Sequence, residues 1–238
     1  MNTLQDNLRS VQSRIAAACV ACGRDPSEVT LLAVSKTFGA DAVQEVATCG
    51  QKDFGENYIQ EGVDKVIFLQ STADAKSPLI WHCIGPIQSN KTKYVAEFFS
   101  WAHTVHRLKI AQRLNDQRPE QLPPLNVCLQ VNIDGGATKS GVAPEELLEL
   151  AKQVTQLPRL VLRGLMTIPD PVEGFEAQVA LHAKANALFD KVRAELNLPN
   201  FDTLSMGMTS DLESAIHAGS TMVRVGTAIF GGLSLIHI

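Results

Sequence analysis

The chain has 238 residues, of which 45% are hydrophobic and 19% charged, with signs mixed to a formal net charge of −4. That is long for one ordinary domain but within the range in which α/β barrels run as a single unit, and it offers no basic surface to attract nucleic acid or an anionic membrane. No segment is apolar for long enough to span a bilayer, and the N-terminus lacks a basic start followed by an unbroken apolar stretch, so a cytoplasmic protein is expected.

A leading amphipathic helix is expected from about Leu4 to Cys22. Its last turn holds Cys19 and Cys22, a spacing that suits a redox or metal role only with a second ligand pair or a βαβ context, and neither is present. The five cysteines are odd in number and scattered, so reduced thiols are expected rather than a disulfide framework.

Apolar, β-branched runs then alternate with helix-like stretches. The candidate strands are VTLLAVS (29–35), KDFGE (52–56), LIWHCIG (79–85), SWAHTV (100–105), LNVCLQVNI (125–133), LVLRGLMTI (160–168), FDTLSM (201–206) and TMVRVG (221–226). About eight strands, with a helical pattern after nearly every one, give the count of a single (β/α)8 barrel of the TIM type with an extra leading helix. A doubly wound open sheet usually has fewer strands and a Gly-rich first turn, which is missing here. Helix starts are expected at Asp41, at Pro144 with Glu145 and Glu146, and at Thr209-Ser210-Asp211. The polar, Pro-rich segment Gln117 to Pro124 is short enough to be a loop. One domain is expected over residues 1–232. The last six residues, LSLIHI (233–238), are apolar and uncapped and match the translation of a common sequencing-library adaptor, so they are expected to be a foreign tail.

Ligands of parallel barrels sit at the C-terminal strand ends, which makes the polar residues there candidates for function. Lys36 follows AVS directly, at the mouth of an apolar barrel, where burial would disfavour its charge and leave an amine suited to imine formation. The plainer alternative is a rim lysine snorkelling to a carboxylate. Near the other end of the chain, SMGMTSD puts a glycine and small residues at a helix start, where unpaired N–H groups favour an anion. RVGT adds a glycine and a hydroxyl one strand over. Strand one and strands seven and eight meet where the barrel closes, which is the geometry for an aldehyde that carries a phosphate. Weaker candidates are His82, which could bond near a cofactor but reads more simply as a structural histidine, and Lys139 in GGATKSG, a loop lysine able to reach the mouth as a second acceptor of the aldehyde. Asn132, Met166 and Tyr58 read as pocket lining with no assignable reaction.

The stretches LLAVSKT, FGENYIQEGVDK, WHCIGPIQSNK, RLNDQRP, LPPLNVCLQVNI, TKSG, RGLMTIP, DTLSMGMTSD and AGSTMVRVGTAIFG closely resemble the YggS/PROSC-type pyridoxal phosphate homeostasis proteins, themselves similar to the barrel domain of alanine racemases. The resemblance covers essentially all of residues 1–232. It implies that Lys36 holds pyridoxal 5′-phosphate (PLP) as an internal aldimine, with Asn57 beside the cofactor. It further implies that Ser205, Gly226 and Thr227 hold the phosphate, that Met208 of the SMGM segment is cofactor-binding, and that Arg224 faces the pyridine nitrogen. A guanidinium at that position donates a hydrogen bond but offers no carboxylate to hold a pyridinium proton, so the ring is a weaker electron sink. The family usually continues past FG with an arginine and a short polar tail, where this chain has Gly232-Leu233.

The function implied is to bind PLP and to buffer or deliver it, with apo-forms of PLP-dependent enzymes as recipients and indirect effects on amino-acid and keto-acid balance. No significant turnover is expected, and the protein is expected to be a monomer. A PLP-dependent amino-acid racemase is one alternative. It needs a base on each face of the substrate, supplied in alanine racemases by a tyrosine from a second domain, and the only tyrosines here are Tyr58 and Tyr94. A Schiff-base aldolase acting on a sugar phosphate is the other. It needs an acid or base beside the lysine, and the strand ends show no acidic cluster.

Overall fold

The computed structural model describes residues 3–72, 78–136 and 140–232. Lys139 and the tail 233–238 therefore lie outside the described residues. Eight parallel strands close into a barrel in chain order, β8 pairing with β1. They are β1 (Thr30–Val34), β2 (Asp53–Glu56), β3 (Ile80–Cys83), β4 (Trp101–Val105), β5 (Leu125–Gln130), β6 (Leu160–Met166), β7 (Thr203–Ser205) and β8 (Met222–Val225). Each lies inside the run expected from the sequence, trimmed by one to three residues at an end, because ladder pairing stops where the chain turns toward a helix.

Helix α1 (Leu4–Ala21) precedes the barrel, and one helix follows each strand: α2 (Ala40–Thr48), α3 (Ile59–Thr72), α4 (Thr92–Phe98), α5 (Leu108–Gln117), α6 (Leu147–Val154), α7 (Phe175–Leu196), α8 (Leu212–His217) and α9 (Thr227–Phe230). A capping box between Thr3 and Asp6 starts α1. Its buried residues Leu8, Val11, Ile15 and Ala18 recur at three- and four-residue spacing, so one apolar stripe packs it onto the helices around β8 and β1. Two helix starts differ from expectation. The cap of α2 is Gly39, and Asp41 sits inside the first turn, where its charge complements the helix dipole. Pro144, Glu145 and Glu146 form a turn, and α6 begins at Leu147.

Side chains alternate across each strand. On β1, Leu31 and Ala33 join the core between barrel and helices, whereas Leu32 and Val34 pack inside the barrel against Ile84 and Met222. Trp101, Cys128 and Met166 fill another part of the interior. All five cysteines are free, and Cys22 caps α1 through its backbone. Among the described residues no three histidine, cysteine or acidic side chains group as metal ligands, and no helix is long and apolar enough to cross a membrane.

Candidate functional site

Lys36 is the residue two beyond Val34, in the turn that follows β1, and its side chain is exposed at the C-terminal rim. The enclosure expected from its apolar strand does not extend to the amine, because the apolar layer ends at Val34. What the fold does supply is a rigid mount. Thr37 holds a left-handed backbone (φ 69°), a conformation costly for a β-branched residue, and its N–H donates to Glu61 Oε1 at 2.6 Å. On the other side of Lys36, the Ser35 carbonyl accepts from Lys65 Nζ at 2.8 Å, and the Ser35 hydroxyl donates to Glu56 Oε1 at 2.6 Å. Lys65 also meets Glu56 Oε1 and Glu61 Oε1, each at 2.7 Å. The turn that carries Lys36 is thus clamped from behind by a buried ion cluster on β2 and α3.

This cluster is where acidic side chains near the lysine were not expected. Glu56 faces outward from β2, is fully buried, and has its carboxyl pushed up by burial while Lys65 and Ser35 pull it down. It is committed to Lys65 and stands behind the strand, away from the barrel mouth. A groove of about 600 Å³ runs beside it, lined by Thr37, Phe38, Gly39, Glu61, Asp64 and Lys65.

On the other side of the barrel's closure, Gly226 approaches β1 so closely that a Cβ there would lie 3.0 Å from the Val34 carbonyl oxygen. Thr227 follows, exposed, as the first residue of α9. Met208 is likewise exposed, at the end of the loop after β7. The expected anion cup at α8 is partly filled by the chain itself. The Asp211 carboxylate accepts from the Met208 N–H at 2.7 Å and pairs with His182 Nε2 at 2.9 Å. Gly226 and Thr227 follow β8, the strand that pairs with β1.

Arg224 lies below this rim, level with Leu32 in the β1–β8 ladder, and is buried. Burial pulls its guanidinium down to about 10, which still leaves it protonated at neutral pH. Its Nη1 donates to Ser205 Oγ at 2.8 Å and its Nη2 to the Thr167 carbonyl at 2.9 Å, with no carboxylate among these partners. Ser205 is fully buried, so the structure places its hydroxyl under Arg224 rather than on the open rim.

Asn57 stands just past β2, where Gly85 makes room for it: a Cβ on Gly85 would come within 1.9 Å of the Asn57 carbonyl oxygen. Asn57 Oδ1 and Thr167 Oγ1 are both buried without a hydrogen-bond partner, a situation that costs about 1–3 kcal/mol apiece unless a polar group completes it. Two such atoms at the strand ends flanking Lys36 and Arg224 suit a polar ligand.

The remaining candidates separate cleanly. His82 is wholly buried inside the barrel and bonded at both ring nitrogens, to Asp53 and to His103. Asn132 ties its own loop through Gly135 and Gly136, Met166 is internal core, and Tyr58 is 59% exposed. Sequence reasoning missed His103, Asp53, Thr167 and Lys65. For His103 the signal was available: SWAHTV alternates, and a histidine two positions after an inward tryptophan also faces inward.

Comparison with known proteins agrees with this geometry. The family model of the alanine racemase N-terminal domain matches residues 1–234. A pyridoxal phosphate homeostasis protein of Pseudomonas aeruginosa is 56% identical over 231 residues, covering 97% of this chain and 96% of that protein. One from Escherichia coli K12 is 53% identical over 231 residues, covering 97% of both. Among solved structures, PipY of Synechococcus elongatus with PLP bound superposes with a TM-score of 0.78 at 36% identity, over 93% of this chain and all of that one. On this full-length match, the chain belongs to the alanine racemase N-terminal domain family, among its pyridoxal phosphate homeostasis proteins.

Proposed function

We propose that this chain binds pyridoxal 5′-phosphate through Lys36 and serves in PLP homeostasis, as one domain over residues 1–232. It holds the cofactor and gives it up to apo-forms of PLP-dependent enzymes instead of turning over a substrate. The observation that carries this reading is what meets where β8 closes on β1. Lys36, exposed, follows β1; Gly226 and the exposed Thr227 follow β8, which pairs with β1; and Arg224 lies buried in the same ladder, level with Leu32. The names of the relatives and the PLP bound in PipY support it.

Bound PLP supplies an aldehyde for a lysine amine and a ring that withdraws electrons from whatever is attached to it. Lys36 is the attachment point, set by its clamped turn. Gly226 and Thr227 hold the phosphate from the β1 side, with Met208 at the opposite lip and Asn57 beside the ring. Arg224 faces the ring nitrogen as a hydrogen-bond donor, and Ser205 holds Arg224 from below. A cation there cannot keep a proton on the ring nitrogen, so the site favours holding the cofactor over stabilising a carbanion. The protein acts as a monomer in the cytoplasm.

PLP added to the purified protein should develop visible absorbance with tight binding. Pyridoxal should bind at least about tenfold more weakly, because a charge-assisted hydrogen bond or two is lost with the phosphate. Equal affinity for the two forms rules out the phosphate assignment. Racemisation separates the reading from its nearest rival. Proton transfer on both faces needs a second positioned base, yet Tyr58 is 59% exposed and Tyr94 sits under Lys91. Alanine and other amino acids should stay optically pure in the presence of the PLP-loaded protein, as followed by chiral chromatography. Ordinary enzymatic turnover that disappears in Lys36→Ala would establish an enzyme instead.

A further inference from the structure

A row of buried side chains crosses the barrel interior beneath the site. His82 Nε2 lies 3.0 Å from Asp53 Oδ1, His82 Nδ1 lies 2.9 Å from His103 Nε2, and His103 Nδ1 lies 3.1 Å from Ser205 Oγ. Arg224 Nη1 completes the row at 2.8 Å from Ser205 Oγ. The residues come from five strands or strand ends, β2, β3, β4, β7 and β8. Asp53 begins β2, at the end of the barrel opposite Lys36, and its carboxylate is 23% exposed beside a cavity of about 340 Å³ lined by Gln12, Pro26, Thr30, Gln51 and Lys52. His82, His103 and Ser205 are fully buried. One end of the row is therefore wet and the other dry.

With both imidazoles neutral, donor and acceptor chemistry allows this row one proton order. An ionised Asp53 can only accept, so His82 Nε2 carries the hydrogen and its Nδ1 is the acceptor. His103 must then donate from Nε2 and accept at Nδ1, and Ser205 must give its hydroxyl hydrogen to His103. That leaves the Ser205 lone pairs for Arg224, a guanidinium that can only donate. Reversing any link would set two acceptors face to face at Asp53. The order requires both imidazoles to be neutral, and burial lowers both, His103 well below the ordinary histidine range. The charges that face the pair are Asp53 from β2 and Arg224 from β8, with the Cys128 thiol on β5 nearby. Trp101 on β4 stacks on His82 and carries Arg163 of β6 on its ring, and Arg163 pairs with Asp202 just before β7.

We propose that Asp53, His82 and His103 form a one-way hydrogen-bond relay that positions Arg224 through Ser205, so that the ring-nitrogen end of the cofactor site is oriented from the opposite end of the barrel. The three are positioning residues, since none of them reaches the rim. The link to the cofactor rests on the PLP reading above, whereas the relay itself does not. Its consequence for Ser205 is specific: the hydroxyl proton is committed to His103, so Ser205 serves Arg224 as an acceptor and is not free to donate to a phosphate.

Two measurements test this. Long-range nitrogen-15 correlation spectra of the protein at pH 7 without PLP should show both His82 and His103 neutral and protonated at Nε2. A proton on Nδ1 of either ring, or an imidazolium, overturns the relay. In the second measurement, His103→Leu removes both hydrogen-bond functions, while His103→Gln restores one donor and one acceptor. With folding checked by circular dichroism, the Leu variant should bind PLP about tenfold more weakly, as loss of one bond supporting a charged group implies, with the Gln variant recovering most of that. A folded Leu variant with unchanged affinity overturns the positioning role. Should it fail to fold, Asp53→Leu at the wet end takes its place. Without the carboxylate the proton order is no longer imposed, so the His82 and His103 tautomers should become mixed and PLP affinity should fall. Retention of both tautomers and full affinity in that variant also overturns the proposal. Failure of the unmutated protein to bind PLP would sink the functional reading alone, because the tautomers are read with no PLP present.

Discussion

Borohydride added to the protein mixed with PLP is expected to fix the pyridoxyl group on the peptide that carries Lys36. The amine of Lys36 is exposed at the rim, beside Gly226 on the next strand and on a turn whose two flanking residues are anchored. An amine that reacts must reach the aldehyde while the phosphate is held, and a pre-set position gives it a large advantage over solvated lysines elsewhere on the surface. Lys65, which bonds the carbonyl of the neighbouring Ser35, is spoken for by three oxygen partners and is buried behind the strand. Lys36→Ala leaves the anchoring of Ser35 and Thr37 in place, because those bonds use backbone groups and the Ser35 hydroxyl, so the barrel should fold. The variant should lose most of its affinity for PLP, at least about tenfold, with the remaining binding carried by phosphate and ring contacts. Peptide mapping by mass spectrometry decides the matter, and a pyridoxyl label centred on another lysine of the unmutated protein would move the attachment point.

The barrel was legible because strands buried on both faces read as short apolar runs, and eight of them with helical stretches between leave few arrangements. Lys36 was legible for a related reason, as a polar residue directly after an apolar strand. Other features depend on register and direction that no local pattern encodes. His82 and His103 are 21 residues apart and become bonded only because β3 and β4 pair with both rings turned inward. Lys65 meets Glu56 across a strand-to-helix turn, with a partner nine residues away. The SMGMTSD segment reads as an open anion cup, and only the folded loop shows the Asp211 carboxylate returning to the Met208 N–H. Ser205 reads as a rim hydroxyl because it ends a strand, yet its inward position in a short β7 puts it beneath Arg224.

Replacing Lys65 by methionine, which keeps the aliphatic bulk and removes the charge, should be among the most destabilising single changes in the chain. Glu56 would be left as a fully buried carboxylate with one oxygen, Oε2, already without a partner and the other reduced to the Ser35 hydroxyl. Breaking a buried pair by deleting one partner typically costs about 3–5 kcal/mol, because the remaining charge keeps its desolvation penalty. The pH dependence identifies the cause. Burial already raises the Glu56 carboxyl above the ordinary carboxylate range, with the Lys65 hydrogen bond the largest opposing influence. Without Lys65 the folded-state value must rise further. A carboxyl raised by folding binds more protons in the native than in the unfolded state, so stability falls as pH climbs from the unfolded value to the folded one. At pH 5 the variant can keep Glu56 protonated at little cost, and at pH 8 it bears a much larger part of the penalty. Urea denaturation should therefore show a greater loss for Lys65→Met relative to the unmutated protein at pH 8 than at pH 5. Adding Glu56→Gln to Lys65→Met should recover stability at pH 8 and flatten the extra pH dependence, since a neutral amide is cheaper to bury than a charge. Equal losses at the two pH values, with no recovery in the double variant, would mean that the cluster acts through packing and not through its charges.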